Sequence, residues 1–290
     1  MFGTVLYDEF TSEDSEKVAD ALEELCSPLD NYGWASVGVY MFSKPATDSM
    51  LESWADHVLY VGLARDLPLR FRQHAGLLSC PASGCKRKNI AKWFGDNEKI
   101  RFSCFVQSPL NQSIGHRRRD ELNKHFDEEN DDYFEEDPPY GLEAASRLEG
   151  QLIETYRLEQ GKRPPWNRRG GSKEGAAIAA GGSGNALLAY MSGAAPSTLV
   201  LARRTIRELA ADANAVDHET FLHAMRTEAI IHSPTGASNE AIAERITIAS
   251  GNQILQPSVD RLLSAGYISD LVYSTSAESH ADERDSSELD

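Results

Sequence analysis

Two runs rich in β-branched and aromatic residues constrain this chain most. One is built around Gly38-Val39-Tyr40 and the other runs from His57 to Gly62 (HVLYVG), and the polar connection between them contains Pro45. Such a pair predicts an antiparallel hairpin. The connection from Met41 to Asp56 is long for a hairpin, so a turn of helix around Ser49 to Ala55 is expected inside it. Asp66 to His74 follows as a helix, with Asp66 as its N-cap and Arg70, Arg72 and His74 along it.

Around this centre the coarse reading continues in both directions. Residues 1–33 hold a short apolar run (Val5, Leu6, Tyr7) and then an acidic helix. Thr11 or Ser12 can cap that helix, Val18, Leu22 and Leu25 form its buried stripe, and Pro28 ends it. Arg101 to Gln107 (RFSCFVQ) has strand character and is expected as the third strand. Residues 76–100 read as an insertion rich in Cys, Gly and Lys, and Ser113 to Phe126 as a polar helix.

The strongest helix of the first half is Tyr140 to Gln160. Ala145, Glu149, Leu152, Ile153 and Tyr156 share one face of it. A carboxylate on an otherwise apolar stripe is costly unless it is paired or holds a cation. Glu149 is therefore singled out, with an arginine salt bridge and a bound metal as the two ways to satisfy it.

The 290 residues carry a net charge of −16, which taken alone argues against a nucleic-acid binder. The charge is unevenly spread. From Val61 to Arg119 there are 12 basic residues against 3 acidic ones, whereas Asp120 to Tyr140 holds 10 carboxylates against Lys124. The basic half surrounds the candidate site. The acidic loop Asp127 to Pro139 reads as a solvated spacer, a metal-binding fringe or an autoinhibitory strip; like-charge blocks favour the spacer.

Four cysteines, Cys26, Cys80, Cys85 and Cys104, are too few for a disulfide framework, and plain thiols are expected. Cys80 and Cys85 with His74 make at most a partial zinc set. No run approaches the ~18 apolar residues of a membrane span. The first residues lack a basic, then apolar, leader pattern, so a cytoplasmic location is expected and no membrane partner.

Five landmarks in order resemble the GIY-YIG nuclease domain: Gly38-Val39-Tyr40, Tyr60-Val61-Gly62, Arg70 with His74 one turn further on, Glu149 on a later helix, and Asn167 shortly after it. The resemblance implies an α/β (α+β) fold in which a small three-stranded mixed or antiparallel sheet is flanked by helices. It also implies metal-dependent hydrolysis of phosphodiester bonds. Glu149 would hold one Mg²⁺ or Mn²⁺, Arg70 would neutralise the phosphoryl charge, and Tyr40 would take a proton from water. Tyr60 and His74 would complete the network, and Asn167 would hold the local backbone. The longer hairpin connection, the insertions at 76–100 and 108–140, and Gly161-Lys162-Arg163 depart from the simplest members.

The expected organisation is a catalytic domain over 1–170, a Gly/Ala/Ser-rich linker over 171–197, a second domain over 198–273 and an acidic tail over 274–290. The second domain resembles a winged helix-turn-helix, on the capped helix from Ser238, the turn Ser250-Gly251-Asn252, and the helix ending Leu262-Leu263-Ser264-Ala265-Gly266-Tyr267-Ile268. Its expected recognition helix offers one arginine, Arg261, beside Asp260. Docking a protein partner or a second copy therefore competes with DNA reading. DNA, duplex or branched, is the expected substrate, with RNA as a further possibility. Arg72, Lys86, Arg87, Lys88, Arg117 and Arg118 are the expected backbone contacts. The rival reading is a catalytically weak DNA-binding or regulatory protein.

Overall fold

A computed structural model describes residues 3–26, 35–45, 53–80, 84–107, 141–179, 184–193 and 205–215. The chain divides into two compact units, Met1–Ala195 with Thr205–Asp212, and Pro196–Arg204 with Ala213–Asp290. The winged-helix elements expected from Ser238 onward, the expected acidic tail, the helix expected from Ser113, the acidic segment Asp127 to Pro139, Arg117 and Arg118 lie outside the described residues. All the elements described belong to the first unit.

Its centre is a four-stranded, wholly antiparallel sheet of β1 (Gly3–Phe10), β2 (Gly38–Ser43), β3 (Val58–Ala64) and β4 (Ile100–Gln107), in the order β1-β4-β2-β3. The hairpin of β2 and β3 and the strand at β4 fall where the sequence places them. The expected count of three strands is corrected to four. The additional strand contains Val5-Leu6-Tyr7 and pairs along β4 from Gly3 opposite Gln107 to Phe10 opposite Ile100. Its acidic residues obscure it, and they are satisfied from far away in the sequence. Asp8, 0% exposed, is gripped by Arg207, and Glu9 takes an ion pair from the buried Arg101.

One face of the sheet, Val39, Met41, Val58 and Val61, packs on α5 (Leu142–Gln160) through Ala145, Leu152, Ile153 and Tyr156. The other face is aromatic. Phe102 stacks against Phe42 and against Phe71 of α3 (Leu67–Ala75), and Phe71 in turn meets Phe10. The stripe Val18, Leu22 and Leu25 of α1 (Ser15–Leu25) is buried as expected, although the helix starts later than Thr11 and Ser12. Thr11 instead donates its amide to Asp14 at 2.6 Å, and α1 packs beside α3.

Three further regions differ from the sequence reading. The turn in the hairpin connection is α2 (Trp54–His57), capped by Ser53; residues 46–52 lie outside the described set. The insertion at 76–100 contains α4 (Arg87–Asp96), in which Ile90 is the buried residue; one apolar contact leaves no periodicity to read. The expected linker carries α6 (Lys173–Ala177), which its composition hides, and α7 (Asn185–Ser192), which falls on the one weakly helical patch expected there, Ala186 to Met191. The first packs on α5 and the second buries Leu188 and Met191 in the core.

Small residues there serve close packing rather than freedom. A Cβ on Gly150 of α5 would collide with the backbone of Ser172, and one on Gly175 with that of Arg147. A last short helix, α8 (Ile206–Ala210), is fixed by a Thr205–Glu208 capping box and packs against α1 and β1. Among the described residues no helix is long and apolar enough to cross a membrane.

Candidate active site

The site forms where the aromatic face of the hairpin meets α3. Tyr40 lies opposite Gly62 in the β2–β3 register, and the absence of a side chain at Gly62 makes room for its phenol. A Cβ at Gly62 would stand 2.8 Å from the Tyr40 hydroxyl and 2.7 Å from the Tyr60 ring. Both phenols therefore lean over a glycine that cannot be enlarged. Asp66 caps α3 by accepting from the Leu69 amide at 2.9 Å, which sets the helix rotation. That rotation aims Arg70 and His74 at the same hydroxyl.

His74 is fully buried, and its Nε2 lies 2.7 Å from Tyr40 Oη. Its Nδ1 accepts the backbone amide of Lys86 at 2.9 Å. A backbone N–H can only donate, so Nδ1 carries the lone pair and the neutral ring bears its proton on Nε2. His74 thus donates to Tyr40. Arg70 Nε donates to the same oxygen at 3.3 Å, and Tyr40 passes its own hydroxyl proton toward Tyr60. Arg70 is braced by Gln73 Oε1 at 2.9 Å and by the carbonyl of Gly84 at 3.2 Å.

Burial pushes the Tyr40 phenol well above its ordinary value; the neighbouring Tyr60 adds to this and Arg70 opposes it. Tyr60 is raised too, first by burial, against the Tyr40 hydrogen bond, with the charge of Glu149 contributing. Burial, then the charges of Arg70 and Lys86, hold His74 down at about 3, so the imidazole is neutral near pH 7. Two donors on Tyr40 favour a phenolate, yet burial outweighs them. A base at this position needs further positive charge nearby.

Glu149 projects from α5 beside β3. Burial raises its carboxyl, and a hydrogen bond from the Leu63 amide, next in sequence to Gly62, works against that. Among the described residues no lysine or arginine pairs with it, so the salt-bridge alternative for this half-buried carboxylate is not realised there. A single carboxylate is the kind of ligand that a largely hydrated magnesium ion takes from a protein.

Asn167 lies at the edge of β3. Its Oδ1 accepts the Val61 amide at 3.0 Å and its Nδ2 donates to the Val61 carbonyl at 2.7 Å. With the Trp166 amide on Leu59 O at 2.9 Å, it stands in for a missing neighbouring strand. It supports the site and does not enter it.

The expected backbone contacts divide. Arg72 faces α1, where it bonds Asp20 and Glu23 at 2.6 Å each. Lys86 is 6% exposed, donates to the Trp166 carbonyl at 2.8 Å and lies 4.5 Å from the centre of the Tyr60 ring. Burial, then Arg168 and Arg70, lower its pKa. Arg87 and Lys88 are exposed on the first turn of α4. The sequence does not mark Lys86 as an internal brace, and it gives no sign of Gln73, Gly84 or Arg168 at all. Nothing local distinguishes Lys86 from its neighbours in Lys86-Arg87-Lys88.

Cys80 and Cys85, expected as thiols, are joined in a disulfide; their Cα atoms stand 6.1 Å apart, within bridging distance. Cys26 and Cys104 are buried and free, and burial pushes the Cys26 thiol up to about 12. No family model matches the chain, and no curated protein or solved structure matches it.

Proposed function

We propose that the chain is a metal-dependent DNA endonuclease of the GIY-YIG kind, with the second unit as a winged-helix-like module. The observation that carries this reading is the single cluster of Tyr40, Tyr60, Arg70 and His74 over Gly62, with the Glu149 carboxylate acting on Tyr60. Hydrolysing a phosphodiester needs charge neutralisation, an oriented water and an acceptor for its proton. Arg70 brings a permanent cation whose terminal nitrogens keep N–H groups beyond those on Gln73 and Gly84. Tyr40, receiving N–H bonds from both His74 and Arg70, would accept the water's proton while its own hydroxyl proton moves to Tyr60 and the Tyr60 proton leaves to solvent.

Glu149 would hold Mg²⁺ or Mn²⁺, which supplies Lewis acidity at the phosphate and the positive charge that burial of Tyr40 calls for. The exposed cations Arg87, Lys88 and Arg168 serve the backbone of the substrate.

The test is nicking of supercoiled plasmid in Mg²⁺ or Mn²⁺ by the full chain and by Glu149→Ala. Loss of nicking in the variant, with an unchanged melting profile, supports the reading. Equal nicking by both proteins removes Glu149 from the reaction and rejects this site; DNA binding without cleavage in either metal rejects the nuclease reading in favour of a regulatory DNA-binding protein. Faster cleavage of structured RNA than of duplex DNA would move the substrate class.

A further inference from the structure

Beside His74 lie the two sulfurs of the Cys80–Cys85 bridge. A ligand atom of His74 and both Sγ atoms are all within 4.8 Å of one another. Tetrahedral zinc, with Zn–S near ~2.3 Å and Zn–N near ~2.0 Å, sets its donors about 3.5–3.8 Å apart. Opening the S–S bond and moving these groups by about an ångström would meet that geometry. The imidazole is prepared for the task. Nε2 carries the proton and is engaged with Tyr40, so the ring's lone pair is on Nδ1, where it accepts the Lys86 amide one residue past Cys85.

We infer that the reduced protein binds a zinc ion through Cys80, Cys85 and His74 Nδ1, with water as fourth ligand, and that the disulfide and the ion are alternative fillings of one site. A phosphine reductant splits the bridge, taking oxygen from water to become its oxide and leaving two thiols. Zinc then displaces one proton from each thiol and stays Zn(II). The Lys86 amide gives up Nδ1 to the ion. His74 keeps the proton on Nε2 in both states, so the tautomer facing Tyr40 is preserved. Gly84, next to Cys85, also carries the carbonyl that braces Arg70. The site shares His74 with the proposed nuclease cluster, but its readout is metal content and thiolate-to-cobalt absorption rather than cleavage, so the two readings fail separately.

The experiment uses the full chain, phosphine-reduced or oxidised, titrated with Co²⁺ as a spectroscopic stand-in and then with Zn²⁺. The reduced protein is expected to bind one ion per chain and to show thiolate-to-cobalt charge-transfer absorption with the strong visible bands of a tetrahedral centre, bleached by zinc. The oxidised protein and Cys80→Ser/Cys85→Ser should show no thiolate-to-cobalt charge transfer, whatever cobalt they take up at oxygen ligands such as Glu149. Cys26 and Cys104 are buried and do not confuse the count. If the double serine variant fails to fold, the oxidised and reduced forms of the unaltered chain decide alone. Equal thiolate-to-cobalt absorption by those two forms, or none by either, overturns the inference.

Discussion

His74 meets the Tyr40 hydroxyl as a donor, 2.7 Å away, because the Lys86 amide has already claimed the other ring nitrogen. The imidazole therefore cannot take a proton from Tyr40 without first being turned or giving up its Nε2 proton. Its effect is to stabilise negative charge on that oxygen.

Tyr40→Phe tests the consequence. The substitution removes the acceptor shared by Arg70 and His74, and an orphaned buried donor costs about 1–3 kcal/mol of stability. If Tyr40 receives the proton of the attacking water, plasmid nicking should fall about 10²–10⁴-fold. Comparing nicking with the denaturation midpoint separates the two losses. Nicking at the unaltered rate would move the proton acceptor elsewhere.

The neutrality of His74 gives a pH signature. Its folded value, about 3, is below the ordinary 6.5, so the folded state resists protonation that the unfolded state accepts. Stability from this residue is complete above about pH 6.5 and declines as pH falls toward 3, at no more than ~1.4 kcal/mol per pH unit. Urea midpoints of the protein and of His74→Gln, taken from pH 7 downward, should show their difference shifting against the histidine form. A difference that stays constant with pH would mean that the buried ring protonates freely. For the same reason, nicking should show no inflection near pH 6.5.

Elements written in local pattern were legible in the sequence. Asp66 is a cap because its side chain reaches Leu69, three residues on, and the face of α5 is a stripe whose one misfit, Glu149, marks itself. Features settled by distant partners were not. Asp8 and Glu9 look unlike a strand until Arg207 and Arg101 are placed beside them, nearly two hundred and about ninety residues away. Residues 171–193 look like a linker because glycine at a close helix contact and glycine in a flexible tether have the same composition. Lys86 looks like a surface lysine, and only the approach of Trp166 and Tyr60 makes it an internal brace.

Gly150→Ala sets two effects of opposite sign against each other. Alanine in place of glycine inside a helix gains up to ~1 kcal/mol. Here the added methyl meets the Ser172 backbone, and forcing such a contact costs typically about 1–3 kcal/mol. The expected outcome is net destabilisation with protease sensitivity appearing near residue 172. A stabilised variant would show that α6 does not rest on α5.

Asn167→Ala removes both hydrogen bonds to Val61 and bares the edge of β3 behind Tyr60. Each bond contributes about 0.5–1.5 kcal/mol, so a loss of about 1–3 kcal/mol is expected. Asn167→Asp is the sharper probe. A carboxylate can still accept the Val61 amide but repels the Val61 carbonyl, so this variant should be destabilised at pH 7 and partly recover as acid protonates it. The readout is the thermal midpoint at two pH values.

Arg207 joins α8 to β1 by a forked contact. Its Nε and Nη2 bond the two oxygens of Asp8 at 3.1 and 2.7 Å, its amide adds a third bond at 3.1 Å, and Nη1 reaches Asp14 at 2.8 Å. Asp8 has no solvent exposure, whereas the Arg207 side chain is 33% exposed, so removing the arginine strands a buried charge. Arg207→Ala should cost about 3–5 kcal/mol, well above the ~0–1 kcal/mol of a surface pair. Replacing both partners by apolar residues, Asp8→Leu with Arg207→Met, removes the stranded charge and should recover most of that loss. Chemical denaturation of the two single variants and the double one closes the cycle. Additive losses would show that Asp8 does not depend on Arg207, and that the segment Thr205–Asp212 is held to the sheet by its apolar contacts alone.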